Sequence, residues 1–247
     1  YEHDGIQKIR VQNDGAYYNL EVSGSNKKST TGTLSILGNL SIQSKLDVTA
    51  NNDSIKLSGN WENTGIFDER NAWVILNGNN PQNIYSASSS PFYKLFFTGT
   101  GTKNLASAIA IDSTLKIDTV STLDVSSNNY KITLKGNWIN NGAFNPEKGT
   151  LLLDGNKKQF IGGANTTVFY NITLDNTSGT QITTNENLIG TLILTNGTFT
   201  NTGKKFTLLS DANGTARIAK IPNSANFAGT ITMQRFLPLG DNGWRFL

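Results

Sequence analysis

The chain repeats itself at a fixed offset of 77 residues. Gly59-Asn60-Trp61 returns as Gly136-Asn137-Trp138, Leu46-Asp47-Val48 as Leu123-Asp124-Val125, and Leu76-Asn77-Gly78 as Leu153-Asp154-Gly155. Ser54-Ile55-Lys56-Leu57 matches Lys131-Ile132-Thr133-Leu134, and Gly65-Ile66-Phe67 matches Gly142-Ala143-Phe144, in the same register. Separate matches in one register point to a fold that rebuilds a similar cross-section along its length. Tyr17-Tyr18-Asn19-Leu20, Phe92-Tyr93-Lys94-Leu95 and Phe169-Tyr170-Asn171-Ile172 each open a unit. Gly32-Thr33-Leu34-Ser35-Ile36 resembles Gly190-Thr191-Leu192-Ile193-Leu194 in the same way. The units run over about 17–91, 92–168 and, shorter, 169–228.

Inside each unit there is a finer beat of short apolar runs, such as Leu34-Ser35-Ile36-Leu37, Ile55-Lys56-Leu57 and Trp73-Val74-Ile75-Leu76. Each alternates, so every second side chain points inward along a strand. Gly, Asn, Asp and Ser fill the gaps and suit tight bends. Two all-β architectures fit. One is a right-handed parallel β-helix with coils of roughly 20–25 residues, about ten of them, making a rod near 50 Å long. The other is a tandem antiparallel β-sandwich, with Asn77-Gly78, Asp154-Gly155 and Asn196-Gly197 as hairpin turns. The fixed 77-residue register favours the β-helix. On that reading Trp61 and Trp138 lie on one face, about three coils apart. Residues 229–247 read as a last coil or cap, or as the start of another domain, because Pro238, Gly240 and Gly243 break the strand that ends at Phe236.

Composition agrees. Apolar residues are 36% and charged residues 16%, both low for a compact globular domain. The net charge is only +3, and the lysine pairs Lys27-Lys28, Lys157-Lys158 and Lys204-Lys205 are scattered. That pattern argues against a nucleic-acid partner and reads as turn lysines that blunt strand edges. The absence of cysteine excludes disulfides and thiolate metal sites. No stretch reaches the roughly 18 apolar residues of a membrane helix, so no membrane insertion is expected. The first residue, Tyr1, and the apolar end at Leu247 read as the ends of a piece of a longer protein.

No catalytic site, metal site or cofactor is expected. The single histidine, His3, stands at the start of the chain, which removes Ser-His and Cys-His schemes. Gly162-Gly163 lacks the lysine and helix of a phosphate loop. Asp112, Asp118 and Asp124 are the best carboxylate cluster for polysaccharide chemistry. Asp124, however, repeats Asp47 and so reads as a turn residue; alternation points Asp47, Asp112 and Asp118 outward. Trp61 and Trp138 read as core rather than sugar platforms. The asparagines around them (Asn60, Asn63, Asn137, Asn140, Asn141) read as ladders bonding backbone groups of neighbouring coils.

Gly-Asn-Trp-x-Asn-x-Gly-x-Phe at 136–144, Gly-Thr-Leu-Leu-Leu-Asp-Gly at 149–155 and Phe-Tyr-Asn-Ile-Thr-Leu at 169–174 together resemble repeat regions of large surface and secreted proteins of the Bacteroidota. These are adhesin-like and gliding-motility-associated substrates of the type IX secretion system. Gln234-Arg235-Phe236 with Gly243-Trp244-Arg245-Phe246 is similar to the segment that ends such repeats. The resemblance implies a β-solenoid at the cell surface or outside the cell, a secretion machinery met during export, and a surface glycan or host ligand as partner. It also implies O-glycosylation at Asp-Ser/Thr followed by an apolar residue or Thr. Ser54, Ser113 and Thr119 match that pattern. The expected role is a non-enzymatic stalk or adhesin module; the alternative is a carbohydrate-active β-helix, either enzyme or glycan binder.

Overall fold

The computed structural model describes residues 6–11, 15–87 and 90–237. His3, Pro238 and the closing Gly243–Leu247 lie outside them. The described chain is all β and winds as a right-handed parallel β-helix of about 11 turns. Each coil carries three short strands, one per face of a three-sided section. On the long face, Leu34 pairs with Ile55, Ile55 with Val74, Val74 with Leu95, Leu95 with Leu115 and Leu115 with Trp138, all parallel. The second face stacks Leu20, Leu40, Trp61, Ile84 and Leu105. The third stacks Ile109, Ile132, Leu151, Ile172 and Leu192 in its later coils.

The antiparallel alternative is not realised. Asn77-Gly78 and Asp154-Gly155 turn the chain from one face to the next, and Asn196-Gly197 bends a single long run, Thr191–Thr200, around a corner between two faces. Gly197 takes a φ of 84° there, a value open to glycine at little cost. Among the described residues the single antiparallel pair is Ser210–Asp211 with Gly214–Thr215.

Alternation places the apolar residues as expected. Leu, Ile, Val and Phe fill one continuous interior, with Trp61 and Trp138 at 1% and 0% exposure. The rings of Trp61, Phe67 and Phe92 pack at centroid distances of 5.0, 5.0 and 6.4 Å. Their counterparts Trp138, Phe144 and Phe169 pack at 4.8, 5.3 and 5.9 Å. The repeat is therefore a repeat of packing, not only of letters.

The expectation that Trp61 and Trp138 share a face is wrong. Trp61 is on the second face, paired with Leu40 and Ile84. Trp138 is on the long face, paired with Leu115 and Ile161. Eleven strand steps separate them when the bridge at Phe92 is included. Nine steps make three coils; the two left over carry the motif around two corners. Each unit is thus rebuilt two-thirds of a turn further round. Leu46 to Leu123 and Ile55 to Ile132 change face in the same sense. Three near-equivalent faces make this rotation possible, because each supplies the same flat wall to the interior.

Polar side chains hold the corners. Asn19, Asn39 and Asn60 each accept, through Oδ1, a backbone N–H from the next coil, at 2.7, 2.8 and 2.8 Å. Asn137 and Asn141 do the same for Phe160 and Ala164. Gln82 and Gln159, again 77 apart, each donate to two carbonyls of the preceding coil and accept from a glycine N–H. The asparagine-ladder reading holds for these residues. Asn63 is fully buried with both amide atoms unpartnered among the described residues. At the close approach of coils, a Cβ on Gly136 would overlap the Ser113 carbonyl, which is why glycine precedes the Asn-Trp pair there.

Two further sequence expectations need correction. Lys28 is not a solvated turn lysine: it is fully buried, and its ammonium donates to the Ser25 carbonyl at 2.7 Å. Lys157, Lys158, Lys204 and Lys205 are exposed as expected. Asp47 does not point outward. It is 2% exposed and held by Lys27 at 2.9 Å and Arg70 at 3.0 Å. Residues 231–233 pair in parallel with Phe206–Leu208, so the strand after Gly229 adds to the stack as a last coil would.

Candidate functional site

The suspected carboxylates separate into structural roles. Asp124 Oδ1 accepts the N–H of Ser126 at 2.6 Å, and Asp47 Oδ1 accepts that of Thr49 at 2.8 Å. Thr49 and Asn52, like Ser126 and Asn129, have φ near 60°. The loops 47–54 and 124–131 are one turn built twice. Burial opposes ionisation of Asp47, but its bonds from Arg70, Lys27 and Thr49 outweigh it and hold the carboxyl well below the usual range. Asp118 receives the Thr98 hydroxyl at 3.3 Å. Asp112 pairs with Lys135 at 2.9 Å. The structure does not assemble the three aspartates as one cluster.

What it does assemble is a corner groove of about 610 Å³. It crosses four coils at the edge between the third and long faces, lined by Tyr93, Asp112, Ser113, Lys135, Asp154 and Lys158 among others. Burial raises the Asp154 carboxyl, partly countered by Lys135, and the charge of Asp112 adds to the rise. Burial likewise raises nearby Glu69, with Asp112 again contributing. The groove therefore holds an ion pair next to a carboxyl that resists ionisation, with an aromatic ring at its rim.

A second groove, of about 670 Å³, is lined by Glu147, Tyr170, Ile189, Gly190, Asp211 and Arg217 among others. Tyr170, Ile189 and Gly190 are the 77-residue counterparts of Tyr93, Asp112 and Ser113. The two grooves are the same corner, rebuilt at a different edge of the rod. The later one is walled by the hairpin of Ser210–Asp211 and Gly214–Thr215. Here the coil is interrupted: Leu192 pairs with Ile218, 26 residues on, where Ile172 pairs with Leu192 after 20. The structure thus places a break in the regular coil here. The available signal was Asp211-Ala212-Asn213-Gly214, with Asp first and Gly fourth as a tight turn prefers. Asp211 Oδ1 accepts the N–H groups of Asn213 and Gly214 at 2.7 and 3.1 Å.

The glycosylation candidates all sit at corners. Thr119 is exposed, and Ser54 and Ser113 are half-buried. Among the described residues no group of three or more His, Cys, Asp or Glu could hold a metal ion, and no helix is long and apolar enough to cross a membrane. No protein family matches the chain, and no curated protein or solved structure matches it.

Proposed function

We propose that this chain is a non-enzymatic rod segment of a large secreted or cell-surface protein, exported by the type IX system, that spaces and presents binding surfaces outside the cell. The observation that carries this reading is the duplication of Asp47 and Asp124 in one turn. The best catalytic suspect is a structural residue that the repeat makes twice. The resemblance of the 136–174 motifs to exported adhesin-like repeats supports the location. An antibody to the rod is expected to label intact cells of the producing organism, and incubation with a polysaccharide panel is expected to release no new reducing ends. Label confined to permeabilised cells overturns the surface assignment, and released ends overturn the non-enzymatic one.

The groove of Tyr93, Asp112 and Asp154 favours a second reading, a carbohydrate-active β-helix. Under it, Asp154→Asn would abolish the release of reducing ends; under the first there is no release to abolish.

Surface export in this lineage would leave sugars on the chain. The intact mass of native material is expected to exceed the sequence mass by glycan increments mapping to Ser54, Ser113 or Thr119, with exposed Thr119 the most occupied. A native mass equal to the bare polypeptide would remove all three.

A further inference from the structure

The 77-residue repeat supplies an internal control for which side chains the fold requires. Interior rings recur: Trp61 with Trp138, Phe67 with Phe144, Phe92 with Phe169. On the outside of the long face, Trp73, Lys94, Phe96 and Lys116 do not. Their counterparts are Thr150, Asn171, Thr173 and Ile193. The later copy builds the same kind of wall without them, so the aromatic and basic character of this patch is not architectural.

The patch is contiguous. Trp73 pairs in register with Lys94, Ile75 with Phe96, and Phe96 with Lys116 in three successive coils. The Trp73 and Phe96 rings meet edge to face at 6.2 Å. Lys94 Nζ stands 5.5 Å from the Trp73 centroid and 5.1 Å from that of Tyr93, and Lys116 Nζ stands 4.6 Å from that of Phe96. Lys56 extends the column one coil further, opposite Ile75. From Lys56 to Lys116 is three coil steps, ~14 Å along the axis, the length of a short oligosaccharide. The column Lys56, Ile75, Phe96, Lys116, Ile139 contains no carboxylate. Among the described residues none of Lys56, Lys94 and Lys116 makes an ion pair.

We propose that this face binds a strand of acidic polysaccharide lying along the rod. The proposal rests on the surface-module reading and names the ligand class of that module. Sugar rings present apolar C–H faces that pack on aromatic side chains, while their carboxylates bond the unpaired ammonium groups as charge-assisted pairs. The aromatic surroundings strengthen such pairs by keeping water away. A stacked nucleic acid fits less well. Single strands need a strongly basic groove that tracks their backbone, whereas the chain carries only +3.

The test uses the full chain with oligogalacturonate, neutral dextran and an oligothymidylate as probes. Oligogalacturonate is expected to bind, with affinity falling at least tenfold between 50 and 500 mM NaCl, and dextran is expected not to bind. The double variant Trp73→Thr/Phe96→Thr installs the residues of the later copy, so the fold is kept. It should lose at least tenfold in affinity with an unchanged Tm. Lys94→Gln/Lys116→Gln should weaken binding and flatten the salt dependence. Absent oligogalacturonate binding, unchanged affinity in the Thr variant, or tighter binding of oligothymidylate each overturns the proposal. With surface labelling intact, any of these leaves the module reading standing. Cleavage of the oligogalacturonate overturns the module reading instead, whichever residues bind it.

Discussion

Trp138→Ala destabilises the rod by about 3–5 kcal/mol in urea unfolding, the cost of emptying a fully buried aromatic site. The ring packs on Phe144 and Phe169, and its Nε1–H donates to the Thr167 hydroxyl at 3.3 Å. Each coil contacts only its neighbours, so the loss falls first on the coils around 115–182. The sister residue makes a sharper comparison. Trp61 packs on the counterpart rings of Phe67 and Phe92, but its Nε1–H has no partner among the described residues. Trp138→Phe breaks a buried hydrogen bond, whereas Trp61→Phe removes an unpaired donor. The first is expected to cost roughly 1–2 kcal/mol more than the second. Equal costs would mean that the Thr167 bond contributes nothing.

Raising the pH should weaken the fold through Glu186, and Glu186→Gln should abolish that weakening. The carboxyl is fully buried, and Oε2 accepts the Thr167 N–H at 2.6 Å while Oε1 has no partner among the described residues. Burial pushes its pKa up to about 8, against bonds from the Thr167 backbone and hydroxyl that favour ionisation. A folded pKa above the unfolded one means that the folded state holds the proton more tightly. The contribution is complete below about pH 4.5 and is lost as pH rises to about 8. The full span is on the order of 5 kcal/mol. Subtracting the stability of Glu186→Gln from that of the parent at each pH isolates this effect. Lys103, buried and lowered to about 8, has the opposite sign, adding stability from about pH 8 upward, and cancels in the difference. A difference flat from pH 5 to 9 would show that Glu186 ionises in place.

Much of this molecule is legible in its letters. Alternation within three-residue runs named the interior: Leu34, Ile36, Ile55, Leu57, Val74 and Leu76 are all buried. The 77-residue register identified Trp61, Trp138 and Asp124 as architecture, and the buried rings and duplicated turns agree. The Asn-Gly pairs were ambiguous, because one local geometry serves both a hairpin and a solenoid corner. The buried charges were hidden. Lys28 and Lys103 occupy interior strand positions but end at backbone carbonyls, and nothing in Lys27-Lys28 distinguishes the inward member except a register set coils away. Trp73 and Phe96 read as ordinary strand residues until their coils stack.

The 77-residue repeat is thus determined by sequence alone, and it favours the parallel β-helix over the antiparallel sandwich that the structure rules out. Which face each copy occupies was decided only in three dimensions. Strand pattern is local, with a period of two set by the backbone. Coil closure depends on how sharply each corner turns and how many residues it spends. Here a coil takes three strands and a repeat takes eleven, so the copies cannot stay in phase with the faces. That mismatch sends Trp61 and Trp138 to different walls, rebuilds the Tyr93 groove around another edge at Tyr170, and brings Trp73, Phe96 and their lysines together on one side of the rod.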